Sequence, residues 1–264
     1  FGIEKDGNTL TAVVPSYRGD CTEMPDIAEE VARVYGYENI PSTRPAAPIS
    51  KGEAGFHHDV GEKISSILSS SGLNETVTFS FMHPDQLKKL LFKDGDAVYN
   101  AVPILNPITE DFPLMRTTLI PTLMDVLVRN QAVKNPSVGI YEIAPVYRPK
   151  QLPLTELPEQ EFYVTGLLYG QRTAAEWPEK AENYDFYDVK GLVETVLQGL
   201  GIQADLEVSD WAPLHPGKAA RYVKDGKVLC DFGEIHPKAV DNYDVAGPVY
   251  VFEMHMDAIL PLVN

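Results

Sequence analysis

The sequence predicts an α+β fold in which helices cover an antiparallel β-sheet. Candidate strands outnumber candidate helices in the chain of 264 residues. Two pairs of strands are joined by short turns, at Asp6-Gly7 and Asp225-Gly226, and turns of this kind join antiparallel neighbours. Strands and helices do not alternate regularly, as they would in a doubly wound parallel sheet.

The first elements predict a small hairpin followed by one helix. Residues 1–14 read as two strands around the first Asp-Gly turn, because apolar residues alternate in the second strand. A helix is predicted from Pro25, since proline suits the first helical turn, to Gly36, which can adopt the left-handed conformation that ends a helix.

A domain boundary is predicted after this helix. Residues 40–50 are rich in proline, serine and alanine and poor in large apolar side chains, which is typical of a linker. We therefore place the boundary near Pro45 and predict two domains, residues 1–45 and residues 46–264.

The second domain carries the predicted sheet. Its helices are expected where apolar residues recur at intervals of three and four, and its strands where β-branched and aromatic residues cluster. The predicted helices are residues 57–72, 118–132 and 185–201. The predicted strands are residues 75–82, 138–147, 161–170, the hairpin 219–235, and 248–256.

Composition excludes several classes of protein. No stretch approaches the roughly 20 apolar residues of a membrane helix, so we expect no membrane association. The two cysteines, Cys21 and Cys230, lie far apart and outside any CxxC pair, which disfavours a disulfide framework or zinc site and fits the cytoplasm. A net charge of −16 disfavours binding to the nucleic acid backbone, which requires clustered Lys and Arg.

An acidic cluster at the predicted first helix is the first candidate site. Asp26 lies three and four residues before Glu29 and Glu30, and Asp20 precedes the helix by a short turn. Acidic side chains at a helix N-terminus are stabilised by the helix dipole and need no ligand. Alternatively, converging carboxylates bind a hard divalent cation; the spacing differs from the calcium loop, and magnesium fits better.

Long segments carry a resemblance to a known family. VPSYRGDCTEMPDIAEEVARVYGYENIPSTRP resembles the closing half of the B5 domain of the phenylalanyl-tRNA synthetase beta subunit family, a small domain with a winged, DNA-binding-like outline. LNPITEDFPLMRTTLIPTLMDVLVRN, VGIYEIAPVYR and VYVFEMHMDAIL are similar to the catalytic-like module of the bacterial-type subunit. The resemblance implies a class II aminoacyl-tRNA synthetase-like sheet and a segment of a longer protein.

The resemblance also implies a cofactor and partners. Asp20, Asp26, Glu29 and Glu30 match the family's magnesium-binding positions, a site shared with the alpha subunit. The family assembles two alpha and two beta subunits into a heterotetramer. It implies that the alpha subunit uses ATP to attach phenylalanine to its tRNA. The intact enzyme binds tRNA, but the negative charge of this segment predicts weak or no contact with it.

The same resemblance predicts that this chain has no nucleotide site. Class II catalytic modules carry a late strand with a Gly-x-Gly-x-x-Arg pattern, in which the glycines leave room for the nucleotide. Here Glu253 and His255 stand in place of the glycines and Ala258 in place of the arginine. Since a carboxylate repels a triphosphate and alanine cannot bind one, we predict no catalytic and no nucleotide-binding residues.

A supporting role is therefore predicted, with two alternatives. The helix 118–132 corresponds in the resemblance to the element through which class II modules dimerise, which favours a scaffold that is inactive by itself. The first alternative is an active synthetase paralogue with an unusual nucleotide site. The second is a nucleic-acid-binding module, which the acidic helix disfavours. His57 and His58 are interpreted as a solvated helix start, and His215 and His236 as structural.

Overall fold

The structure is a computed structural model that describes residues 1–44, 46, 52, 55–107, 109–173 and 180–263. It contains two compact units, Phe1–Glu53 and Ala54–Asn264. The predicted boundary residue, Pro45, lies outside the described residues.

The first unit contains the predicted hairpin and helix. Strands β1 (Gly2–Asp6) and β2 (Thr9–Val13) pair antiparallel around Gly7, whose φ of 59° suits a tight turn. Helix α1 (Met24–Tyr35) begins next to a proline and ends at Gly36. These predictions are confirmed.

The second unit contains the remaining elements. Its strands are β3 (Asn74–Glu75), β4 (Phe81–Met82), β5 (Leu114–Met115), β6 (Ser137–Arg148), β7 (Glu159–Thr173), β8 (Glu182–Asn183), β9 (Asp205–Val208), β10 (Leu214–Lys224), β11 (Lys227–Ile235) and β12 (Val249–His255). Its helices are α2 (Phe56–Ser70), α3 (Pro84–Lys89), α4 (Ile120–Ala132), α5 (Phe186–Gly199), α6 (Pro237–Asn242) and α7 (Met256–Ile259). The three long predicted helices are thereby confirmed.

The main sheet of the second unit is mixed rather than purely antiparallel. Its strands follow the order β3-β6-β7-β12-β11-β10-β9, and β8 pairs with β7. Strands β6 to β12 pair antiparallel with their neighbours, as predicted, but β3 pairs parallel to β6. Strands β4 and β5 form a separate pair. The α+β class is confirmed, and the expectation of a wholly antiparallel sheet is corrected at this edge.

The predicted strand over residues 75–82 is wrong in its middle. Regular pairing covers only its two ends, in β3 and β4. Between them the amide of Thr78 donates to the carboxylate of Glu142, at 3.2 Å, where a regular strand would bond to a main-chain carbonyl. The ladder is interrupted because a side chain replaces the main-chain partner.

Helices cover both faces of the main sheet. On β12, Tyr250, Phe252 and Met254 share a core cluster with apolar residues of α2 and α5. Val249 and Val251, which alternate with them, share a second cluster with apolar residues of α4. Each face therefore buries its own apolar layer. Across the described residues, none of the helices is long and apolar enough to cross a membrane.

Candidate functional site

The acidic residues predicted to bind magnesium are already paired with arginines. Arg18 Nη2 donates to both Asp20 Oδ2 and Glu30 Oε1, each at 2.7 Å, and Arg33 Nη2 donates to Glu30 Oε2 at 2.6 Å. The hydrogen bonds from Arg18 and then Arg33 lower the pKa of Glu30 to about 2. The bond from Arg18 likewise holds the pKa of Asp20 well below its usual range.

The other two carboxylates have different surroundings. Asp26 accepts hydrogen bonds from the amides of Glu23 and Thr22, both at 2.8 Å, and these bonds lower its pKa. It therefore caps the start of α1. Glu29 is exposed to solvent.

The four carboxylates do not surround a common point in this arrangement. The Arg18 guanidinium lies between Asp20 and Glu30, where a shared cation would lie. Within the described parts of the chain, His, Cys, Asp and Glu side chains form no group of three or more that could hold a metal ion. Magnesium binding by this set stays a prediction.

Glu253, in the predicted late strand, lies at the centre of the sheet. It is opposite Thr165 of β7 and Asp231 of β11, and its side chain is buried, with 2% of the residue exposed. Its Oε2 accepts bonds from Thr118 Oγ1 at 2.7 Å, the Leu119 amide at 3.1 Å and Thr165 Oγ1 at 3.1 Å.

The environment of Glu253 disfavours its charge. Burial raises the pKa of its carboxyl to about 7, although all three hydrogen bonds act in the opposite direction. Because two of the donors belong to the residues that precede α4, the side chain fastens the start of that helix to the sheet.

His255 and Ala258 are also packed into the protein. The ring centroid of His255 lies 4.6 Å from that of Tyr163, and burial lowers the pKa of its imidazole. Ala258, in α7, packs against the core of the α2 and α5 face. Glu253, His255 and Ala258, which stand in place of the glycines and the arginine, thus all make packing contacts inside the second unit.

The other histidines differ in their surroundings. His57, which was expected at a solvated helix start, is half-buried, and its ring centroid lies 4.4 Å from that of Phe162. His58 is exposed in the first turn of α2. The Nδ1 atoms of His215 and His236 each accept a hydrogen bond from a main-chain amide two residues further on.

Helix α4 uses most of its apolar stripe inside its own unit. Leu123 and Leu127 are fully buried in the core of the second sheet face, and Leu119, which precedes the helix, is fully buried beside Tyr163. Only Val126 of the stripe is partly exposed. The helix that was expected to face a partner mainly packs against its own sheet.

An apolar groove lies beside α4, and sequence reasoning missed it. Val77 and Phe79 are 90% and 71% exposed. The ring centroid of Phe79 lies 6.5 Å from that of Phe81 and 6.3 Å from that of Phe112. Together with Val126 these residues line a groove of about 230 Å³, which we call the apolar groove.

A sequence signal for this groove does exist. In TVTFSF, residues 76–81, hydroxyl side chains alternate with apolar ones. Such alternation places the two kinds of side chain on opposite faces of an extended segment. The apolar face is normally the one that packs against the core. Here the hydroxyl residues face the protein and two large apolar ones face solvent.

Comparison with known proteins identifies the family. Residues 40–256 match the family described as "Phenylalanyl tRNA synthetase beta chain CLM domain", and residues 1–37 match "tRNA synthetase B5 domain". The second unit of the structure and the late strand both lie within the larger match, apart from the last residues.

Three curated relatives carry the name phenylalanine-tRNA ligase beta subunit. The protein from Syntrophotalea carbinolica is 35% identical, over 97% of this chain and 32% of its own length. Those from Geobacter metallireducens and Staphylococcus saprophyticus are 35% and 33% identical, over 93% and 98% of this chain and 31% and 32% of their own lengths. The chain spans about a third of the length of these relatives.

A solved structure shares the fold. The pyrrolysyl-tRNA synthetase of Desulfitobacterium hafniense superposes with a TM-score of 0.59 over 90% of this chain and 75% of its own, at 15% sequence identity. This likeness supports the predicted synthetase-like architecture of the sheet and its helices. The match over residues 40–256 leads to one conclusion: the chain belongs to the phenylalanyl-tRNA synthetase beta chain family.

Proposed function

We propose that this chain is a non-catalytic, supporting part of a phenylalanine-tRNA ligase beta subunit. Its role is to bind the catalytic alpha subunit, which attaches phenylalanine to tRNA with ATP. The names of the curated relatives support the proposal at the level of the subunit. The observation that carries it is the solvent-exposed apolar groove, since exposed apolar patches mark interaction surfaces.

The late strand, β12, supports a chain without a catalytic site of its own. A nucleotide that lies against this strand needs bare main chain and a fixed cation, but Glu253 fills that position and its carboxylate is bound by three donors. Ala258 offers no guanidinium for a phosphate. We therefore assign ATP to the alpha subunit and no nucleotide to this chain.

The apolar groove is the surface that we assign to the contact with the alpha subunit. Phenylalanine side chains are strong anchors at interfaces because they bury a large apolar area with little conformational freedom to lose. The groove presents Phe79, Phe81 and Phe112 close together, and Asp125 and Arg129 also belong to its lining. Aromatic residues and arginine are enriched at protein interfaces relative to the rest of the surface.

The assembly, its location and its metal complete the proposal. Two alpha and two beta subunits form the enzyme in the cytoplasm, and tRNA makes little contact with this segment, because the chain carries a net charge of −16. A magnesium ion shared between the subunits at Asp20 and Glu30 would require Arg18 to leave both carboxylates. The supporting role does not depend on that ion.

The experiment measures binding of the chain to the alpha subunit from the same organism by analytical ultracentrifugation. The unaltered chain should form a complex, and the double variant Val77→Asp, Phe79→Asp should bind at least about 30-fold more weakly, since one central anchor contributes about 2 kcal/mol. Val208→Asp is the matched control, because Val208 is 77% exposed on β9, at the opposite edge of the sheet from β3. Equal binding by both variants would contradict the proposal.

The two alternatives have their own tests. Pyrophosphate exchange by the isolated chain with ATP would support an active paralogue, and the filled position at Glu253 predicts none. Binding to nucleic acid that weakens steeply with salt would support a nucleic-acid module, and the acidic chain predicts no such binding.

A further inference from the structure

We infer that the buried ion pair between Arg116 and Glu142 is a positioning device that holds the apolar groove ready for its partner. The inference rests on the proposed function, because it assigns this pair a role in partner binding. Arg116 Nη1 lies 2.9 Å from Glu142 Oε1, and both side chains are almost fully buried, with 2% and 3% exposed.

Both members of the pair bind the segment that carries the groove. Thr78 Oγ1 donates to Glu142 Oε2 at 2.7 Å and accepts from Arg116 Nη1 at 3.0 Å. The amide of Thr78 donates to Glu142 Oε1 at 3.2 Å. Arg116 Nη1 also donates to the carbonyl of Phe79, at 3.4 Å. Four bonds thus converge on two consecutive residues of the segment.

Further contacts fix the residues on either side. The amide and hydroxyl of Thr76 donate to the carbonyl of Tyr141, at 2.8 and 3.1 Å. The amide of Arg116 donates to the carbonyl of Ser80 at 3.0 Å. Residues 76, 78 and 80 are therefore held against the protein, and this arrangement directs Val77 and Phe79 outward.

The stability of the core does not by itself require this ion pair. Burying two charges is costly, and well-packed apolar residues often serve a core as well or better. What an apolar pair could not supply is the set of directed bonds to Thr78 and Phe79, in a stretch where the regular strand ladder is interrupted. Without those bonds the groove residues would have to be ordered when the partner binds, which lowers affinity.

Arg116 is itself fixed by the sheet edge. Its Nε donates to the carbonyl of Pro145 at 3.0 Å, and its own carbonyl accepts from the amide of Tyr147 at 2.9 Å. Both contacts lie on β6, the strand that also carries Glu142. Strand β6 thus fixes the position of the groove segment through one guanidinium and one carboxylate.

The test replaces Thr78 by valine, a residue of similar shape without the hydroxyl. Thr78→Val removes two of the four bonds and leaves both charges paired. Thr195→Val is the control, because it also removes one hydroxyl bond, to the carbonyl of Gly191 at 2.7 Å, but lies on α5 away from the groove. Binding of the alpha subunit is measured by calorimetry below the melting temperature of each variant, and amide exchange is followed in residues 77–79.

We expect Thr78→Val to bind the alpha subunit about tenfold more weakly and to exchange faster at residues 77–79, and Thr195→Val to match the unaltered chain in both. A second variant, Arg116→Met with Glu142→Leu, removes the pair without leaving a lone buried charge and should lose at least as much affinity. If the unaltered chain binds and these variants bind equally well, only the inference is wrong. If the unaltered chain does not bind, the proposed function fails and the inference fails with it.

Discussion

Replacing Glu253 by glutamine should remove a specific pH dependence from the stability of the second unit. Glutamine has nearly the same shape and its amide oxygen can accept from the same donors, but it cannot ionise. In the folded chain, burial raises the pKa of Glu253 from 4.5 to about 7. The unfolded chain exposes this carboxyl, which then has its ordinary pKa.

The expected magnitude follows from the two pKa values. Between pH 4.5 and 7 the folded protein holds a proton that the unfolded chain has lost, so stability falls as pH rises. Each pH unit in that window costs about 1.4 kcal/mol, which gives about 3 kcal/mol in total. Above pH 7 both states are ionised at this group and its contribution no longer changes. The free energy of unfolding of Glu253→Gln, relative to that of the unaltered chain, should therefore rise across this window. At pH 8 the variant should be the more stable of the two.

The assay is urea unfolding at pH 5, 6, 7 and 8, followed by tryptophan fluorescence. Both tryptophans follow residue 54 in the sequence, so the signal reports on the second unit. Glu62→Gln, at an exposed position of α2, is the control for loss of one negative charge. If the difference between Glu253→Gln and the unaltered chain stays constant from pH 5 to pH 8, the assignment of a buried, proton-holding carboxyl at the sheet centre is refuted.

Three further predictions concern the ion pair, the core and the metal. Arg116→Met alone should destabilise the second unit by about 3 to 5 kcal/mol, because it leaves the Glu142 carboxylate buried without its partner, whereas adding Glu142→Leu should recover much of that loss in urea unfolding. Leu123→Ala should lower the free energy of unfolding by about 2 to 5 kcal/mol, since the side chain is fully buried. Val77→Ala should leave the free energy of unfolding nearly unchanged but weaken binding of the alpha subunit, because Val77 is exposed. If the acidic cluster binds magnesium, Arg18→Met should tighten binding measured by calorimetry, because the guanidinium competes with the cation for two carboxylates.

Each of these predictions has a contradicting result. A double variant no more stable than Arg116→Met would show that the lone charge is not the cause of the loss. Equal unfolding costs for Leu123→Ala and Val77→Ala would contradict the assignment of core and surface. No magnesium heat in either the unaltered chain or Arg18→Met would remove the metal prediction for the isolated chain.

The sequence predicted most of the secondary structure because local rules decide it. The turn at Gly7, the proline at the start of α1 and the 3.6-residue periodicity of α2, α4 and α5 each act within a few neighbouring residues. The apolar neighbours of Glu253 also predict its strand, which the structure confirms as β12.

Long-range contacts explain what the sequence could not predict. The irregular segment 76–80 depends on the Glu142 side chain, which lies more than 60 residues further along the chain. Amphipathic periodicity identified the apolar stripe of α4, but it cannot say whether that stripe meets its own sheet or a partner. The spacing of the acidic residues predicts that their carboxylates lie close together. It does not predict that Arg18 joins Asp20 to Glu30, residues that are ten positions apart.

If this chain supports a catalytic partner through its apolar groove, its complex with the alpha subunit must depend on Val77 and Phe79. The most direct test is the sedimentation mass of an equimolar mixture of the chain and the alpha subunit, for the unaltered chain and for the Val77→Asp, Phe79→Asp variant. We predict a complex heavier than either component for the unaltered chain and, at the same concentrations, a much smaller fraction of that complex for the variant. Separate components in both mixtures, or the same amount of complex in both, would contradict this supporting role.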